Sequence, residues 1–200
     1  MRPRSIQSGT TIVVAVLLLH ACAVGTPFVR PAPGEIQLGK TTYNELVARL
    51  GKPDSEKPLR MNEQMTRLIN YSYIGETESA KAPNSMGGRE LSYLISENIV
   101  VAEHFMSSYA SDHTDFDESK YRDIVKGKTR CEEVVATFGR PCTRAIYPVA
   151  DKPGETAIGY SFRYMKRPLL QFKMFEKSLI IGCDANGVVM GVSYTESGDR

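Results

Sequence analysis

The side chains able to do covalent or acid–base chemistry are few. There are four cysteines, Cys22, Cys131, Cys142 and Cys183, three histidines, His20, His104 and His113, and no tryptophan. A cysteine nucleophile needs a base within hydrogen-bonding reach, and no nucleophile motif surrounds Cys131 or Cys142. His104 falls in Val100-Val101-Ala102-Glu103-His104-Phe105, which reads as a strand, so a strand side chain is expected rather than a base. His113 sits in a polar stretch, where solvation is the default. Asp112, Asp115, Asp117 and Glu118 lack the spacing and turn glycine of a calcium loop and read as a hydrated linker, with Tyr109 and Phe116 as its anchors. No catalytic residue, cofactor or metal ligand is assigned, and a non-catalytic chain is expected.

The thiols have a second use. Cys131 and Cys142 would bracket a helix of about ten residues, which holds its ends about 15 Å apart, whereas a disulfide needs Cα atoms within about 7 Å. Cys142 with Cys183 is the better-placed pair, joining a helix exit to a strand end. Cys131 lies on an apolar helical stripe, where a small apolar role is the simpler one.

A Gly-Lys-Thr string occurs twice, at Gly39-Lys40-Thr41 and Gly127-Lys128-Thr129. Neither copy is a phosphate loop. The earlier glycine that such a loop requires follows Pro31 and Pro33 rather than a strand in the first copy, and its place holds Arg122 in the second. Helix starts explain the strings better: Thr41 or Thr42 caps one helix, with Glu45 completing a capping box on Thr42, and Thr129 caps the other with Glu132 at N3.

These strings belong to a longer duplication. At a shift of 88, Gly39, Lys40, Thr41, Glu45, Val47, Ala48, Gly51 and Pro53 meet Gly127, Lys128, Thr129, Glu133, Val135, Ala136, Gly139 and Pro141. Tyr43, Leu46, Val47 and Leu50 form one helical stripe, and Cys131, Val134, Val135 and Phe138 form its twin. Gly51 and Gly139 stop the helices, and Pro53 and Pro141 cannot continue them. Tyr71-Ser72-Tyr73 and Tyr160-Ser161-Phe162 then alternate as strands, and Asp184-Ala185-Asn186-Gly187 marks a hairpin. The expected fold class is α+β: two tandem repeats, each a short helix pair packed on a small antiparallel β-sheet.

At the other end, Arg2 and Arg4 precede an apolar run from Ile12 to Leu19, followed by His20, Ala21 and Cys22. This reads as a bacterial export signal, too short to span a bilayer. Leu19-His20-Ala21-Cys22 resembles a lipoprotein box, so Cys22 is the expected lipidation site, although Ala21-Cys22-Ala23 also fits ordinary cleavage to a soluble product. Removing residues 1–21 takes away two of the 25 basic residues and none of the 23 acidic ones, which leaves a neutral mature chain. That speaks against a nucleic-acid partner. The expected boundaries are signal 1–21, tether 22–34, first module 35–106, linker 107–119 and second module 120–200.

Export signal, lipobox, Gly-x-Thr, amphipathic helix, Gly-x-Pro and aromatic strand together resemble the SmpA/OmlA outer-membrane lipoproteins, a family that includes a subunit of the β-barrel assembly machinery. The residues that carry the likeness are Gly39, Thr41, Gly51 and Pro53, and Gly127, Thr129, Gly139 and Pro141. The resemblance implies a periplasm-facing outer-membrane lipoprotein that binds envelope proteins, held to the membrane through Cys22. Two modules in one chain depart from the family's usual single module. The tandem form is also similar to the β-lactamase inhibitory protein architecture, in which paired units present a concave sheet to a protein; a soluble secreted or periplasmic enzyme inhibitor is the alternative.

Overall fold

The computed structural model describes residues 24–75, 87–166 and 173–198; Cys22 and the export signal lie outside them. In chain order the elements are β1 (Val24–Gly25), α1 (Tyr43–Leu50), β2 (Ser55–Met61), β3 (Gln64–Gly75), β4 (Gly87–Ser96), β5 (Ile99–Ser107), α2 (Cys131–Phe138), β6 (Thr143–Ile146), β7 (Thr156–Lys166), β8 (Lys173–Cys183) and β9 (Val189–Gly198). Short 3-10 turns cover Ala110–Asp112 and Glu118–Asp123.

The duplication is three-dimensional. Gly39 and Gly127 adopt φ of 75° and 74°, a left-handed backbone that favours glycine, and their N–H groups donate to the carbonyls of Val100 and Val189 at 2.9 and 2.8 Å. Thr41 Oγ1 accepts from the Gln37 N–H and Thr129 Oγ1 from the Val125 N–H, both at 2.9 Å. These threonines therefore close the loop ahead of each helix, and the caps fall one residue later. Thr42 caps α1 in a capping box with Glu45; Arg130, not Thr129, is the N-cap of α2, and its N–H donates to Glu133 rather than Glu132. Each helix exit is tied to its sheet by the same tyrosine: Tyr71 Oη donates to the Gly51 carbonyl and Tyr160 Oη to the Gly139 carbonyl.

The expected architecture is overturned. Among the described residues each module has one eight-residue α-helix instead of a pair, and the two small sheets are a single antiparallel sheet of nine strands. The join is β5 against β6, with Ala102, Glu103 and His104 opposite Ala145, Arg144 and Thr143. An uncovered strand edge leaves backbone donors and acceptors unpaired, and the last strand of one module and the first of the next satisfy each other. β2 was unreadable as a strand because Pro58 and the charges of Ser-Glu-Lys-Pro-Leu-Arg-Met resemble a loop; it is an edge strand, where proline is tolerated.

Register places both helices on one face. Ile69, Tyr93, Glu103, Arg144, Ile158, Ile181 and Val192 stand opposite one another across seven strands and so point the same way. At one end of this row Leu46 of α1 packs with Ile69, Leu91 and Tyr93; at the other Val134 of α2 packs with Tyr160, Leu179 and Ile181.

The segment read as a tether is docked. Val24 and Gly25 pair with Ile74 and Tyr73 of β3, Phe28 packs on the first core, and Pro31 is buried. The stretch read as a hydrated linker buries Tyr109 and Phe116, and its acids neutralise cations. Asp112 takes both Nε and Nη2 of Arg89, and Asp115 and Glu118 hold the buried Lys177.

Candidate functional site

The face that bears no helix among the described residues is built from the alternate residues. Asn70, Ser92, His104, Thr143, Gly159, Ile180 and Ser193 form its central row. A depression of about 320 Å³ lies over this row at the module seam, lined among others by Leu68, Leu94, Ala102, His104, Thr143, Ala145, Ser161, Ser178 and Ile180. Its floor is close-packed: a Cβ on Gly159 would meet Ile180 Cδ1 at 2.6 Å and Thr143 Cβ at 3.1 Å. A second depression of about 320 Å³, lined by Ile74, Gly88, Glu90, Met106 and Arg163, opens on the same face. Between them Arg163 and Glu176 form an ion pair at 2.7 Å.

The floor is polar and largely uncharged. Ser92 Oγ donates to Asn70 Oδ1 at 2.8 Å, and the hydroxyls of Ser161 and Ser178 are 3.3 Å apart. His104 Nδ1 lies 2.8 Å from Thr143 Oγ1. Burial lowers the His104 pKa, opposed by Glu90 and Glu176 and reinforced by Arg163 and Arg30, so the imidazole stands neutral at pH 7. A hydroxyl beside an imidazole has the outline of a nucleophile and base, but among the described residues no carboxylate hydrogen-bonds the other ring nitrogen to orient it. The arrangement suits the burial of small side chains and backbone from a partner, between the apolar walls of Leu68, Leu94 and Ile180.

The cysteines pair differently from expectation. Cys131 and Cys183 form the disulfide, with Cα atoms 6.3 Å apart, and Cys142 is free. The cause is the backbone: the Cys131 N–H donates to the Gly187 carbonyl, which brings the start of α2 onto the β8–β9 turn where Cys183 ends its strand. Cys142 is buried ahead of β6, its thiol donating to the Ser161 carbonyl, and burial raises its pKa. His113 is exposed in a left-handed conformation outside this face.

Sequence reasoning missed the charged seam on the opposite, helix-bearing face. Glu103, 2% exposed, receives Arg30 from the docked N-terminal segment at 2.8 Å and Arg144 from β6, with Arg140 3.9 Å away. Burial alone would raise the Glu103 carboxyl; Arg30 and Arg144 overcome it and hold it below the ordinary carboxylate range. Arg30 also donates to the Pro141 carbonyl, Arg140 to that of Pro31 and Arg144 to that of Ile36, so the cluster ties the N-terminal segment to the second module. Nothing in the periodicity of β5 marks Glu103 as buried. A second missed pair was legible, because Arg89 and Lys177 are 88 apart and each donates to the carbonyl of a phenylalanine, Phe28 and Phe116, also 88 apart.

No family model matches the chain, and neither curated proteins nor solved structures give a match. Among the described residues no helix is long and apolar enough to cross a membrane, and no cluster of His, Cys, Asp and Glu has metal-site geometry.

Proposed function

We propose that this chain is a periplasm-facing outer-membrane lipoprotein of SmpA/OmlA type, anchored through Cys22, and that it is a non-catalytic protein-binding or scaffold component in envelope maintenance or outer-membrane protein assembly. The observation that supports the reading best is the sheet face that bears neither described helix, which both modules share and which carries its depression at their seam. A depression floored by neutral hydroxyls and small side chains between apolar walls matches what a protein partner can fill, because buried polar groups need partners that a folded chain supplies.

The test has two arms. Mass spectrometry of the N-terminal peptide from native envelopes reads acylation at Cys22; an unmodified N-terminus at Val24 overturns the anchor and favours the soluble inhibitor. A photo-crosslinking side chain at Ser178 on the open face should capture an envelope protein, and one at exposed Glu132 of α2 should not. Capture from both positions alike, or from neither, removes the open face from the reading.

A further inference from the structure

The sheet has two ends, and they are not alike. At one end β2 presents Glu56, Lys57, Pro58 and Arg60 along an exposed strand, the charges and proline that discourage strand addition. At the other end β8 is the one strand paired with β9 among the described residues; the Gly127–Thr129 loop takes the outward groups of Val189, and the stretch after it is the edge in question. From Val189 to Gly198 β9 holds one charge, Glu196, and no proline.

The first module shows what this edge does when it is covered. β5 and β9 are equivalent strands, and even their bulges coincide. The register slips between Leu94 and Ile95 opposite β5 and between Gly182 and Cys183 opposite β9, and the carbonyls of Val100 and Val189 accept from Gly39 and Gly127. Ala102, Glu103, His104 and Phe105 therefore correspond to Gly191, Val192, Ser193 and Tyr194. In β5 the Phe105 N–H donates to the Cys142 carbonyl on the β6 side at 2.8 Å, so Glu103 and Phe105 turn their peptide groups toward the added strand. By the same alternation Val192 and Tyr194 turn theirs outward. The charge that recognises β6, Glu103 meeting Arg144, is Val192 in β9. This edge is therefore not shaped for another β6-like strand, and β2, with Glu56 where β6 has Arg144, does not complement it.

We propose that β9 pairs antiparallel with β9 of a second copy of this chain, about a twofold axis at Ser193, joining two nine-stranded sheets into one. This register sets Val192 of each copy opposite Tyr194 of the other, two aromatic and β-branched pairs of the kind that stabilises antiparallel sheets. It also keeps the two Glu196 carboxylates away from each other. A twofold contact of this kind is self-complementary and closed, so association stops at the dimer.

Light scattering on the detergent-solubilised full chain tests the pairing, with two variants. Ser193 is exposed, and Ser193→Cys places two thiols across the axis in a close, non-hydrogen-bonded pair, so oxidation should give a covalent dimer. Val192→Pro removes an outward donor without touching the β8 ladder, and should weaken association at least tenfold while the circular dichroism is unchanged. A monomeric wild-type chain overturns the proposal. So does a dimer that survives Val192→Pro with no crosslink through Ser193→Cys, or an envelope crosslink from Ser193→Cys to a different protein in place of the second copy.

Discussion

Glu103 stands on a strand that its neighbours make apolar, yet three guanidiniums converge on it from the N-terminal segment, the exit of α2 and β6. Removing one partner of a buried ion pair leaves the others desolvated and unneutralised, which costs about 3–5 kcal/mol. Glu103→Gln should therefore lower the urea midpoint far more than Glu132→Gln, an exposed pair with Arg130. Because the folded Glu103 carboxyl is held low, its contribution is present above the ordinary glutamate pKa and is lost as pH falls through the depressed value. His104 acts in the same direction for a different reason: burial disfavours its charged form, so the unfolded chain binds the proton first as pH drops below about 6.5. Denaturation midpoints from pH 7.5 to 5.5 should fall in the wild type and flatten in His104→Gln; an unchanged slope would show that the imidazole is not the titrating group.

At the scale of elements, the disulfide and the cap carry separable contributions. Cys131–Cys183 closes a loop of 52 residues between the start of α2 and the end of β8, and such a crosslink contributes about 2–4 kcal/mol by constraining the unfolded chain. Reducing agent should lower the melting temperature of the wild type and of Cys142→Ala equally, and have no effect on Cys131→Ser/Cys183→Ser. A reducing-agent effect that survives in the double variant would refute this pairing. Thr42→Ala removes the side-chain acceptor for the Glu45 N–H and should cost about 1 kcal/mol. Thr41→Val instead removes the acceptor for the Gln37 N–H and should loosen the loop ahead of α1, read as faster amide exchange at Gln37.

Over the whole molecule, the seam decides cooperativity. Three residue pairs of β5 and β6 and the Glu103 cluster join modules that each have their own core. The intact chain should therefore unfold in one transition. Arg144→Glu places two carboxylates where one ion pair stood and should split that transition into two, separated by tryptic mapping of the surviving module; a single transition in this variant would show that the cores, and not the seam, carry the coupling.

Much of this was legible in the residues themselves. A shift of 88 located both helices and their glycine stops, and one further residue located the paired tyrosines, because local backbone demands, a left-handed turn at Gly39 or Gly127 and a helix end at Gly51 or Gly139, can be met by few residue types. What the residues did not disclose was every feature that depends on a second strand. Whether two sheets stay apart or share an edge is decided by which backbone groups find partners, and no side-chain pattern records that. The same holds for the burial of Glu103, for a tether that docks once Arg30 has a carboxylate to meet, and for Cys131 reaching Cys183 because a main-chain hydrogen bond to Gly187 carries it there. Sequence alone determined the repeat unit, its helix stops, the Thr42 cap and the turns; tertiary structure alone decided that the second cap is Arg130 and that two units make one sheet, with both described helices on one face.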